Sequence, residues 1–170
     1  MAEHPDLPHL TAEGHVHMVN VGGKNETRRR AVAEGYLEAR PEVVQLVAAG
    51  RAPKGDVLAV ARVAGVIAAK KTADWIPLAH PLALSAVEVE VAAEPSGFKV
   101  VARVETVGRT GVEMEALTAV SAALLTLYDM LKAQDRSMTI TAVRLMAKSG
   151  GRSGDFSRKD DDASAGGGTD

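Results

Sequence analysis

Cysteine is missing altogether, which excludes disulfides, thiolate zinc sites and iron–sulfur clusters. Aromatic residues are scarce: one Trp, two Tyr and two Phe, 3% of the 170 residues. The core must therefore come from Ala, Val, Leu and Ile. Such side chains pack closely but bury little area each, which favours burying more through oligomerisation. Charge of one sign is lacking too. With a net charge of −2 and a pI near 6.2, no global basic field attracts DNA or RNA, and no basic amphipathic stretch suggests a membrane surface. No apolar run approaches membrane-spanning length, and the opening residues MAEHPDLPHL lack a signal peptide's basic and apolar regions. A cytoplasmic location, with neither nucleic acid nor membrane as partner, is the expectation.

What remains is an ordinary globular composition, 46% apolar and 25% charged, in a length that suits one domain. Residues 1–13 read as a flexible arm, 14–156 as the single domain, and 157–170 (SRKDDDASAGGGTD) as a disordered tail. Residues 15–21 (HVHMVNV) alternate like a strand. Residues 28–39 also suggest one, setting Ala31, Ala33, Gly35, Leu37 and Ala39 against bulkier neighbours, although Ala and Glu favour helix. Pro41 opens a short helix that Gly50 closes. Apolar residues at 57, 60, 63, 64, 67 and 68 mark a helix over 55–71. Pro77 and Pro81 keep WIPLAHPL (75–82) irregular. Residues 84–92 and 98–107 form a hairpin around EPSG. Thr110 opens the longest helix, to about Gln134, with Thr110 and Glu113 as a capping box. A last strand covers 138–146. This mixed order predicts an α+β fold, a ferredoxin-like plait with an antiparallel sheet, helices packed on one face and extra N-terminal strands.

Chemistry concentrates on the long helix. Asp129 and Lys132, three apart, share a face near its C-terminus. Two readings stand: a surface ion pair, or a partly buried pair that holds a proton-transfer group near working pH. A carboxylate in the last turns opposes the helix dipole, so Asp129 is poorly placed for stability alone. Glu113 and Glu115 sit in the first turn; capping accounts for Glu113, and the dipole for Glu115. Glu115 and Asp129 lie fourteen positions apart, within about 40° of one face and roughly 21 Å apart along the axis. If both ends serve one reaction, the site is shared between chains.

Other candidates are scattered. His80 stands in the proline-locked turn, either as a structural histidine or as a hydrogen-bonding group for a substrate. His15 and His17 point the same way on the expected strand, but a metal site there lacks a third ligand. Lys54 precedes a helix start, where a cation opposes the dipole. Lys148 leads into SGGRSG (149–154), whose amides, hydroxyls and cations suit phosphate oxygens, although composition also fits a flexible tail.

Four stretches together resemble one family: HMVNVGGKNETRR (17–29), KGDVLAVARVAGVIAAKKTADWIPLAHPL (54–82), GRTGVEMEALTAVSAALLTLYDMLKA (108–133) and VRLMAKSGGRSGDF (143–156). They are similar to cyclic pyranopterin monophosphate synthase, the C protein of molybdenum cofactor biosynthesis. The resemblance implies a ferredoxin-like homohexamer, a trimer of dimers with active sites at the dimer interface. It implies a lyase that converts 3′,8-cyclo-7,8-dihydroguanosine 5′-triphosphate, a GTP-derived substrate, into cyclic pyranopterin monophosphate and pyrophosphate. It implies Asp129 as acid/base residue, Lys54 and Lys132 as catalytic lysines, and Leu78, Ala79, His80, Met114 and Glu115 as substrate contacts. Arg29, Lys148 and Glu113 would line the same site. Many relatives carry Cys at the place of Ala79 and Asp at that of Asn20, which leaves backbone contact to the first and no acid role to the second. No cofactor is called for by the sequence, no metal site is expected, and divalent-metal assistance is not legible in it. The rival class is a non-catalytic nucleotide-binding regulatory module. An RNA-binding plait lacks the strand aromatics and basic face it needs.

Overall fold

A computed structural model describes residues 10–159, Ala12 excepted. Nearly all of the expected N-terminal arm and C-terminal tail therefore lies outside the described residues. The elements in order are β1 (Thr27–Glu38), α1 (Pro41–Ala48), α2 (Val57–Lys70), α3 (Thr72–Trp75), β2 (Ala86–Glu94), β3 (Gly97–Gly108), α4 (Glu113–Leu131), β4 (Thr139–Ser149) and β5 (Phe156–Ser157). The sheet runs β2-β3-β1-β4-β5, and every pairing is antiparallel. Each of the crossovers through α2 and α4 skips one intervening strand, which is the ferredoxin-like plait.

Alternation decides which face of the sheet is covered. On β1, Ala31, Ala33 and Leu37 are fully buried, as are Val100, Ala102 and Val104 on β3. They meet Ala116, Ala119, Val120, Ala123, Leu124 and Leu127 of α4. Each of the larger of these side chains stabilises by roughly 1.5–3 kcal/mol on burial. A core of alanines lets backbones approach closely. A Cβ on Gly65 of α2 would stand 3.0 Å from the main-chain oxygen of Ala119 on α4, so the two helices nearly touch there. The opposite face of the sheet is polar, with Arg103 paired to Glu88 and Glu90, and Arg28 and Arg30 to Glu105. Glu34 is only 5% exposed there. Burial raises its pKa, but hydrogen bonds from Arg144 and Lys99 outweigh that and hold it below the ordinary carboxylate range.

Three expectations need correction. Residues 15–21 form no strand. One isolated bridge, Leu10 to Val16, is all the pairing found there, and none of residues 15–21 is buried, so their alternation packs no face against the core. The additional strand is instead β5, which pairs Ser157, the first residue assigned to the tail, with Ala147. Nor does the capping box form. Residue Val112 is the N-cap of α4, without a side-chain cap bond, since the chain bends through 109–112 before the helix begins. Finally, α4 alone among the described helices is long and apolar enough to cross a membrane, but most of it is buried in the core of this domain.

Candidate active site

The ends of three strands lie side by side where α4 begins. Thr27 pairs with Gly108, and Arg30 with Ser149. This register gathers cations from distant parts of the chain. Lys24, Arg29, Arg109, Lys148 and Arg152 line one cavity of about 550 Å³, with Glu113 as its carboxylate. Arg29 Nε donates to the oxygen of Gly108 at 3.3 Å, and Lys148 Nζ donates to Ser153 Oγ. The 149–154 loop folds over them because Gly150 and Gly151 adopt φ of 88° and 86°, which L side chains rarely do. A Cβ on Gly151 would also collide with the Arg29 guanidinium. Although the net charge is slightly negative, this pocket is strongly positive. It suits a polyphosphate.

A second cavity of about 360 Å³ adjoins it, lined by Leu78, Ala79, His80, Met114, Glu115 and neighbours. Lys24, Thr110, Gly111 and Glu113 line both, so the two form one groove. With the capping box gone, the Glu113 carboxylate folds over Gly111 and faces this groove. Glu115 is 4% exposed. Burial pushes its pKa up, and the charge of Glu113 adds to the rise. His80 Nε2 lies 2.8 Å from the oxygen of Val19. An acceptor there requires that Nε2 carry the proton, so Nδ1 is the nitrogen left for a ligand.

The third group lies at the other end of α4. Lys132 Nζ contacts Asp129 Oδ1 at 2.6 Å, and Lys54 Nζ lies 3.5 Å from Oδ2 and 3.0 Å from the main-chain oxygen of Asp129. Lys54 reaches it because Gly55, at φ 85°, turns the chain before Asp56 caps α2 through Ala59 N. The ammonium thus satisfies an orphan carbonyl in the last turn of α4. Of the two readings of this pair, its exposure favours the surface ion pair, since these side chains are 47–60% exposed in the single chain. The hydrogen bond from Lys132 and the two ammonium charges lower the Asp129 pKa. Asp129 is therefore a carboxylate at neutral pH.

Eight of the eleven expected site residues thus line the groove, and Asp129, Lys54 and Lys132 form a separate cluster. Lys24 and Arg109 escaped notice in the sequence, since each is a single cation in a turn. Among the described residues no group of three His, Asp or Glu could hold a metal, and His15 and His17 bring no third ligand.

A plait carrying a cationic groove and a carboxylate–lysine cluster is the frame of a small-molecule enzyme. The model of the MoaC family matches residues 18–151, and the chain belongs to that family. It is 59% identical over 160 residues to a cyclic pyranopterin monophosphate synthase of Thermomicrobium roseum, covering 93% of this chain and 96% of that protein. The protein of that name from Pelotomaculum thermopropionicum is 55% identical over 159 residues, covering 92% and 94%. That from Roseiflexus sp. is 58% identical over 153 residues, covering 89% and 97%.

Proposed function

We propose that the chain is a lyase of molybdenum cofactor biosynthesis, converting 3′,8-cyclo-7,8-dihydroguanosine 5′-triphosphate to cyclic pyranopterin monophosphate and pyrophosphate. The observation that carries this reading is the near-full-length identity with enzymes of that name. The groove supports it. Arg29 and Lys148 would take the triphosphate, while Leu78, Ala79, His80, Met114, Glu113 and Glu115 would hold the purine-derived ring. Forming the cyclic phosphate requires a substrate hydroxyl oxygen to attack the α-phosphorus. The α–β bridging P–O bond breaks, and pyrophosphate leaves with the electron pair. Cations in the groove stabilise the charge that develops on it. The hydroxyl proton needs an acceptor, the role proposed for Asp129, while the ammonium groups of Lys54 and Lys132 would supply protons where the ring rearrangement takes them up.

Both clusters serve one reaction only if a second chain supplies one of them, because α4 holds them about 21 Å apart. A homo-oligomer with shared sites, a hexamer by family resemblance, is therefore part of the proposal. Exposed apolar residues on the helix layer, Val60, Val63, Ile67 and Leu125, offer area for such contacts. The proposed setting is the cytoplasm. The test is incubation of the purified protein with the cyclic triphosphate, assaying pyranopterin product and pyrophosphate. Binding without release of pyrophosphate would favour the regulatory module instead.

A further inference from the structure

Residues 17–26 form a strap along the groove that joins no sheet and turns at 22–24. Val19 and Val21 line one cavity, Gly23 and Asn25 the other, and Lys24 both. The strap's internal bonds are local: Gly22 N donates to Asn20 Oδ1 and Lys24 N to the oxygen of Val21. Among the described residues, two side chains tie it to the rest of the fold. One is His80, through Val19. The other is Arg109, whose Nη1 donates to the oxygen of Gly22 at 3.0 Å and whose Nε lies 3.7 Å from Glu26. Arg109 follows directly on β3, whose last residue pairs with Thr27, so its root is fixed by the sheet.

We propose that Arg109 is a positioning residue, holding the strap so that Lys24 stands at the junction of the two cavities and acts on a phosphate chain there. The proposal rests on the phosphate role of the groove given above. Its Nη1 holds Gly22 and its Nε faces Glu26, both on the strap, so in this proposal Arg109 works through the strap and Lys24 delivers the charge. A direct phosphate contact by Arg109 predicts something different, and a double-mutant cycle separates the two.

The cycle uses the full chain, Arg109→Ala, Lys24→Ala and the double variant, with inorganic tripolyphosphate as probe. Arg109→Ala is expected to weaken binding about ten-fold alone, and less than two-fold in the Lys24→Ala background. Hydrogen exchange without any ligand is the second measurement. The Gly22 and Lys24 amides should exchange at least about ten-fold faster in Arg109→Ala, with core amides of β1 unchanged. Unchanged exchange of those two amides, or additive losses in the cycle, would overturn the tether. Failure of the unsubstituted protein to bind tripolyphosphate would instead overturn the phosphate role of the groove.

Discussion

Lys54 Nζ lies 3.0 Å from the main-chain oxygen and 3.5 Å from Oδ2 of Asp129, within one chain. This contact decides how sharing of the site is tested. Inactive Lys54→Ala and Asp129→Asn subunits carry damage in the same cluster, so their mixture should stay inactive. Asp129→Asn mixed with Glu115→Gln damages opposite ends of α4. If sites are shared by pairs of chains, random exchange leaves about a quarter of the sites intact. Turnover of the mixed oligomers is the readout. Recovery of none, with subunit exchange verified by mass spectrometry, contradicts a shared site.

Asp129→Asn alone should leave the fold untouched, because the side chain is exposed and its neighbours are cations in water. Turnover should fall at least about a hundred-fold, with the affinity for tripolyphosphate unchanged. The lowered pKa of Asp129 places the acid limb that it contributes below the ordinary carboxylate range. A limb near neutrality would assign the essential base elsewhere.

Under the proposed function, Glu115 should pull stability and function in opposite directions. Its pKa is raised by burial, so the neutral form is favoured in the folded protein. Whatever stability this contributes is fully present below the unfolded pKa and is lost as pH rises through the folded one. Glu115→Gln should therefore melt higher at pH 7, by roughly 2–4 °C, while losing activity. Thermal melts at pH 4 and pH 7 check the sign: the advantage of the variant must shrink at the lower pH.

Asp135 behaves oppositely. The Ser137 hydroxyl, at 2.5 Å, is the largest influence, and with the Ser137 amide and Arg40 it holds the pKa down from 3.8 to about 2 despite burial. The contribution to stability is present above the ordinary carboxylate pKa and lost as pH falls from about 4 to about 2. Melting temperature followed across that window should drop less steeply in Asp135→Asn than in the unsubstituted protein. Parallel curves would remove Asp135 from the acid-denaturation account.

How much of this was legible depends on whether the signal is local. The β2–β3 hairpin showed itself because Val87, Val89 and Val91 alternate with Glu88 and Glu90 over adjacent residues. The separation of Glu115 from Asp129 followed from helix geometry alone. The strand expected over 15–21 alternated just as well, yet none of its residues is buried, and which faces the core covers is a property of the whole fold. Thr110 and Glu113 had capping-box spacing, but the bend after Gly108 delayed the helix and released Glu113 into the groove. The phosphate-friendly character of Lys148 and its loop was visible as composition. Of its partners, Arg29 was named through the family resemblance alone, and Lys24 and Arg109 were not, since the fold and its strand register bring them together.

Helix α4 also limits what the gene can tolerate. Its buried alanines and leucines accept exchange for residues of similar size, with modest losses. One codon added or removed between positions 115 and 129 is a different matter. It would swing one end by about 100° relative to the other and shift it by about 1.5 Å, turning Asp129 off the face that it shares with Glu115. Side chains along this helix can drift, but its residue count works as a gauge, and insertions there should be lost where substitutions survive.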